Sequence, residues 1–277
     1  MDRQRYYAVL DTDFVSKGNI IRNQNRVLMD EVLGFPGYQF FCHQKMRDEL
    51  GDHGTRPAQE WLEKKIEGGE ISCYSDEQII RELKELVHNS CYSYYRSFLK
   101  QGCDLFNANL YKDHFNYLDS LLETQNFSET DFLSTLNTCE QSIGHQKSYG
   151  EVKAFVLTQT LTLLRDAEVY IFCSDDFGAR RGFANGAQIP CMSVLSVFMK
   201  LKLIEKPKQD IAPYYSSFIR WCTERENPQT CIKVWNYRDG SDKRIKVPVY
   251  TLLDDIYSGK YQARKDGDLQ RIISDLE

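Results

Sequence analysis

The sequence predicts an α/β protein: a parallel sheet with intervening helices, a long helical insertion and a small C-terminal extension. Three observations carry this. Short apolar runs alternate with helical stretches at both ends of residues 1–204, the rhythm that parallel-sheet crossovers impose. Between about residues 55 and 145 that rhythm gives way to apolar residues three and four apart, the period of a helix face. Beyond Pro207 the alternation stops again, and residues 205–277 read as an extension with a hairpin and a helix.

Tyr6 to Leu10 is a nearly continuous apolar run, as a strand buried on both faces reads. The chain then turns through Ser16-Lys17-Gly18 into a helical stretch containing Ile20, Ile21, Val27, Leu28 and Val32, which Gly34 and Pro36 end. Tyr38 to Cys42 reads as a second strand and His43 to Leu50 as a short helix broken at Gly51. Within the insertion, Pro57 and Ser75 are good helix starts, and Ser128 followed by Glu129 and Asp131 resembles an N-cap with acids in the first turn. The many tyrosines and phenylalanines there read as helix–helix packing. The rhythm resumes at Gly150-Glu151, with a helix from Val152 to about Leu164 and a strand from Val169 to Cys173. A helix through Arg180 to Asn185 and a strand from Ile189 to Met192 follow. The segment from Cys231 to Tyr250 alternates on both sides of Asp239-Gly240, a hairpin signal, and Tyr250 to Glu277 reads as helical.

At 277 residues with 42% hydrophobic content the chain supplies a sizeable core. A net charge of -5 argues against a basic nucleic-acid-binding surface over the whole molecule and leaves room for a local strip. Nine cysteines, odd in number and without a C-x-x-C pair, read as reduced thiols packed mostly in the core. The five histidines have no metal-ligand spacing. No charged-then-apolar leader opens the sequence, and no apolar run reaches the roughly 18 residues of a membrane span. The expectation is a cytoplasmic protein that does not enter a membrane.

Asp11 and Asp175 each follow an apolar run directly, and in an open α/β sheet ligands bind beyond the carboxyl ends of the strands. Carboxylates gathered there suit a hard divalent cation, Mg²⁺ or Mn²⁺, which prefers oxygen ligands and retains several waters. Glu49 and Glu151, near helix ends, are candidates to complete the cluster, with Asp176 a further metal ligand. Each acid by itself also reads as an ordinary loop or cap residue.

The order VLDTDF, RDEL, YGE and CSDDFGARRGFANGAQIP resembles the PIN-domain family of metal-dependent nucleases. The resemblance implies a three-layer PIN-like parallel sheet over residues 1–204, with the catalytic acids at Asp11, Glu49, Glu151 and Asp175. It implies a divalent-metal-dependent ribonuclease that cuts phosphodiester bonds in single-stranded RNA. The stretch at 55–145 is far longer than the family's usual connection, and Asp13 is extra to its simplest pattern. Ser174, Arg180 and Arg181 around the acidic turn, and Lys233 and Trp235 on the proposed hairpin, are candidate RNA contacts. Tyr237 would share the hairpin face of Lys233 and Trp235, with Lys243, Arg244 and Lys246 returning opposite. The reading allows a protein regulator as a further partner and leaves the oligomeric state open.

A second resemblance competes. Asp11-Thr12-Asp13-Phe14-Val15 fits the D-x-D-x-[TV] signature of haloacid-dehalogenase-like phosphatases, with Asp11 as nucleophile, Asp13 as acid/base and Asp175-Asp176 on magnesium. Lys147 or Lys153 would be its lysine. Glu49 and Ala179-Arg180-Arg181 have no place in it. A catalytically silent PIN-like binding module is the third reading.

Overall fold

The computed structural model describes residues 5–52, 55–106, 108–124, 126–144, 148–165, 169–236 and 240–272. The chain begins β1 (Tyr6–Leu10), α1 (Thr12–Ile20), β2 (Arg22–Asn23), β3 (Arg26–Val27) and α2 (Leu28–Leu33). There follow β4 (Tyr38–His43), α3 (Gln44–Asp52), α4 (Arg56–Glu67), β5 (Ile71–Tyr74) and α5 (Asp76–Val87). Next come α6 (Cys91–Phe106), α7 (Ala108–His114), α8 (Asn116–Glu123), α9 (Glu129–Ile143) and α10 (Tyr149–Leu164). β6 (Val169–Cys173), α11 (Phe177–Arg181), β7 (Cys191–Met192), α12 (Val194–Leu203) and α13 (Lys208–Glu224) continue the chain. It closes with β8 (Gln229–Asn236), β9 (Ser241–Pro248), α14 (Leu252–Tyr257), β10 (Tyr261–Ala263) and β11 (Leu269–Arg271).

The protein is α/β, with an all-parallel five-stranded sheet in the order β5-β4-β1-β6-β7. Phe40 to His43 pair with Ile71 to Tyr74, and Phe172 and Cys173 with Cys191 and Met192. By internal contacts the chain divides into two compact units, Met1–Thr12 with Gln39–Tyr170 and Asp13–Tyr38 with Ile171–Glu277.

In the first unit the buried run Tyr7 to Leu10 makes β1 an interior strand. α10 is buried on nearly every face from Val152 to Leu161, including the polar Lys153, Thr158 and Thr160; the two threonine hydroxyls bond back to the carbonyls of Ala154 and Val156. Tyr95 and Phe132 meet edge to face at 5.9 Å. Each fully buried large side chain of this kind contributes about 1.5–3 kcal/mol of transfer free energy.

In the second unit Phe172 lies flat on Phe183 at 3.7 Å, and Phe198, Tyr215 and Phe218 form an aromatic cluster under α12 and α13. A second sheet has the order β10-β11-β8-β9. The turn before β11 is tied to β7 by a backbone bond, Cys191 N–H to Lys265 O at 2.7 Å, and to the residue after β7 next to the start of α12 by a side chain, Ser193 Oγ to Gly267 O at 2.6 Å. Gly267 has φ 76°, and a Cβ there would lie 3.0 Å from Ser193 N and 3.1 Å from Cys191 O. Only glycine fits so close an approach in that conformation.

Four local expectations need correction. The helix after β1 starts at Thr12, not beyond Gly18, and a small hairpin, β2 and β3, interrupts the stretch before α2; Gln24, at φ 53°, turns it. The stretch from 55 to 145 contributes β5, an edge strand of the main sheet; four residues, ISCY, are too short to show a period in the sequence. Residues Lys208–Glu224, just beyond the point where the alternation ends, form a 17-residue helix. Among the described residues of the last stretch, helix is confined to a 3-10 turn at Val249–Thr251 and to Leu252–Tyr257; Gly259 stops it, and Asp266-Gly267 turns β10 into β11. The hairpin read around Asp239-Gly240 forms, with Lys233 opposite Arg244 and Trp235 opposite Asp242. Lys246 faces Cys231, which puts it on the face of Lys233 and Trp235, whereas Lys243 faces Val234. Tyr237 and Asp239 lie outside the described residues, as do His145, Lys147 and 273–277. All nine cysteines are free thiols, and Cys73 and Cys231 alone among them are not fully buried.

Candidate acidic site

In the first unit, the sequence neighbours of two of the expected acids flank the carboxylate of a third. Asp11 follows the last residue of β1 and is 8% exposed. Thr12, next to it, donates from Oγ1 to Glu49 Oε2 at 2.7 Å. Glu49 is half-buried on α3, an amphipathic helix that buries Met46 and Leu50 one turn apart. The other side of its carboxylate meets Gly150: a Cβ at that position would lie 2.7 Å from Glu49 Oε1 and 2.8 Å from Oε2. Glu151 is the next residue, in the first turn of α10.

The local reason is a helix start. Ser148 precedes α10 at φ 72° and its side chain makes no cap bond, so the first-turn N–H groups need other acceptors. A carboxylate beside that turn is favourable, and glycine at 150 leaves room for it. Among the described residues, no group of three or more His, Cys, Asp or Glu side chains is arranged to hold a metal ion.

In the second unit, Asp175 follows β6 and is built into a different set of contacts. Its Oδ1 accepts from Val194 N at 3.1 Å, at the start of α12, and its Oδ2 accepts from Lys17 Nζ at 2.8 Å. The same ammonium reaches Asp13 Oδ2 at 2.9 Å. Burial alone would lower the Lys17 pKa, but Asp175 and Asp13 together outweigh it and hold the amine above its ordinary value. Lys17 therefore stays charged at neutral pH and neutralises both carboxylates.

The remaining candidates fall into clear roles. Asp176 caps α11, its Oδ1 accepting from Ala179 N at 2.7 Å. Ser174 is fully buried and accepts from Asp176 N. Arg180 is 4% exposed, and its guanidinium donates to Asp266 O, Ser174 O and Asp268 Oδ1. It ties α11 to the second sheet. Arg181 is exposed. Lys233 is paired with Asp266, and Trp235 is 39% exposed.

One charged network is absent from the sequence reading. In the first unit Lys153, fully buried on α10, donates to Asp76 Oδ2 at 2.7 Å and to Tyr95 Oη at 2.8 Å, and pairs with Glu140. Tyr95 also donates to Asp76. His43 Nε2 lies 3.0 Å from Asp76 Oδ1, while His43 Nδ1 accepts from Lys45 N at 3.0 Å. That second bond leaves the ring proton on Nε2, donated to Asp76, so both ring nitrogens are engaged. The only sequence signal for the network is apolar context around a single lysine on α10. Lys17 was also missed, although its spacing of four from Asp13 on one helix is an ion-pair signal.

No family model, no curated protein and no solved structure matches the chain.

Proposed function

We propose that the protein is a divalent-metal-dependent ribonuclease of the PIN-like, three-layer type, acting on single-stranded RNA. The observation that carries the reading is the placement of the Glu49 carboxylate between Thr12 and Gly150, the chain neighbours of Asp11 and Glu151. The reading takes Asp11, Glu49 and Glu151 as one cluster at the carboxyl end of β1, where an α/β sheet binds its ligands. The resemblance adds Asp175 as the fourth carboxylate.

The donor chemistry fits Mg²⁺ or Mn²⁺. Carboxylate oxygens are their preferred protein ligands, and one or two suffice, because the ion retains waters and takes the rest from substrate phosphate. Asp11, Glu49 and Glu151 are the residues that would hold it. When bound, the ion lowers the pKa of a water and stabilises charge on the scissile phosphate. Thr12 fixes the orientation of Glu49 through its hydroxyl, and Gly150 keeps that carboxylate at the start of α10.

The test is cleavage of labelled single-stranded RNA in Mg²⁺, Mn²⁺ or EDTA, run beside a generic phosphate monoester. RNA cleavage that requires metal, without monoester hydrolysis, is expected. Asp11→Asn and Glu49→Gln should each lower it by about two orders of magnitude while thermal unfolding stays cooperative. Monoester hydrolysis without RNA cleavage overturns the reading in favour of the phosphatase.

The lysine between Asp13 and Asp175 favours a second reading, a catalytically silent binding module, since an ammonium already neutralises those carboxylates. RNA binding without cleavage under any of the three conditions would select it.

A further inference from the structure

The second unit contains a cavity of about 320 Å³ that Lys17, Asp175, Phe177, Trp221, Arg244 and Lys246 help to line. A volume of roughly 300–1,000 Å³ is typical of small-molecule sites. We propose that it binds one nucleotide of a single-stranded nucleic acid, with the base at Trp221 and the phosphate at Arg244 and Lys246. For its substrate class the proposal rests on the nuclease reading.

Three features of the wall point to this ligand. The Trp221 indole Nε1 is shut off from solvent and has no hydrogen-bond partner among the described residues. Buried indole N–H groups are nearly always paired. A base is a flat body that aromatic walls accommodate, and a small shift of the indole that opens its N–H to the cavity would give it a base carbonyl or ring nitrogen as acceptor.

The charge balance is the second feature. Four basic side chains, Lys17, Arg180, Arg244 and Lys246, line the cavity against two carboxylates, Asp175 and Asp268. Lys17 is held by Asp175 and Asp13, and Arg180 by Asp268. Arg244 shares Asp268 with Arg180, at 3.3 Å. Lys246 is exposed on β9 and has no carboxylate partner among the described residues. The uncompensated positive charge therefore collects at Arg244 and Lys246.

The third feature is rigidity. The Arg244 guanidinium lies 3.6 Å over the Phe177 ring, so its planar fork is oriented before any ligand arrives, which favours a phosphate. Lys246 and Arg244 lie two residues apart on β9 and share one face of the hairpin. Asp175 lies on the wall of the same cavity, so a nucleotide held here passes one of the carboxylates that the resemblance makes catalytic.

Calorimetric titration with adenosine 5′-monophosphate, uridine 5′-monophosphate and inorganic phosphate, all in EDTA, tests the proposal without cleavage. Both nucleotides should bind, inorganic phosphate at least about tenfold more weakly, and Lys246→Gln and Trp221→Phe should each weaken nucleotide binding by about tenfold, or 1.4 kcal/mol. Lys246 is exposed, so its variant is informative even if Trp221→Phe does not fold. Equal affinity for phosphate and nucleotide, unchanged binding in Lys246→Gln, or no binding by the wild type overturns it. Metal-dependent RNA cleavage by a protein that binds neither nucleotide sinks this site and spares the nuclease reading. Nucleotide binding without cleavage does the reverse.

Discussion

Each of the two units carries a lysine bridging two carboxylates, and the two bridges differ in exposure. Lys153 is fully buried and holds Asp76 and Glu140, whose side chains are 18% and 21% exposed. Lys17 is 20% exposed and holds Asp13 and Asp175, at 44% and 22%. The same ionic triad therefore does different work. Around Lys153 the ammonium is fully buried, and Tyr95 and His43 also bind Asp76, so removing the lysine leaves two carboxylates without their cation. Around Lys17 solvent reaches the carboxylates, and the ammonium can be exchanged for another cation or for a ligand at modest cost. The closed network holds a fully buried cation, and the open one a cation that solvent reaches.

The strongest break of this contrast is Lys153→Met. It removes the cation and leaves Asp76 and Glu140 facing each other, for which destabilisation by about 3–5 kcal/mol is expected. Urea unfolding followed by circular dichroism measures it. A midpoint within error of the wild type would mean that the Lys153 network is as exchangeable as the Lys17 bridge.

Acid should act mainly on the closed network. Burial alone would raise the Asp76 pKa, but Lys153 and then His43 outweigh it and hold the carboxyl far below its ordinary 3.8. A depressed folded pKa means that the stabilisation is complete above that ordinary value and is lost as pH falls below it toward the folded pKa. The stability gap between wild type and Asp76→Asn should thus be largest at about pH 5 and shrink at about pH 3. Urea midpoints at the two pH values give the gap. One that does not change with pH would contradict a depressed carboxyl.

What the sequence shows and what it hides follow the same division. The buried strand runs Tyr6–Leu10 and Val169–Cys173 are readable because strands covered on both faces need unbroken apolar residues. Asp11 follows the first of these strands and Asp175 lies two residues past the second, which is where the sequence puts them. The contact of Glu49 with Gly150 is not readable: it spans 101 positions and depends on the absence of a side chain. Asp76, Tyr95, Glu140 and Lys153 come from four helices, and nothing local marks any of them as a partner. β5 and the β10–β11 hairpin are short, so their pairing is set by the strands beside them rather than by their own period.

Gly150→Ala places a methyl where the Glu49 carboxylate lies and so tests the acidic site by direction as well as size. Alanine in place of glycine in a helix ordinarily stabilises by about 0.5–1 kcal/mol. Here the carboxylate must shift, because the new Cβ would approach within 2.7 Å of Oε1. Stability should fall or stay level rather than rise, and metal-dependent RNA cleavage should fall more than stability does. A variant that is more stable and equally active would mean that the position of Glu49 matters to neither.

The smallest stability effect is expected for Lys17→Gln, the counterpart of Lys153→Met. Glutamine keeps a polar side chain one atom shorter and removes the charge, so the loss is that of a partly exposed ion pair, within about 1 kcal/mol. The informative readout is metal binding. With the ammonium gone, Asp13 and Asp175 lose their neutralising cation, and two carboxylates brought to one place attract a divalent ion. Calorimetric titration with Mn²⁺ should therefore show tighter binding to Lys17→Gln than to wild type, and Asp175→Asn in the same background should reverse the gain. Mn²⁺ affinity that is unchanged, together with a stability loss approaching that of Lys153→Met, would make the Lys17 bridge a structural element like its buried counterpart and end the distinction between the two.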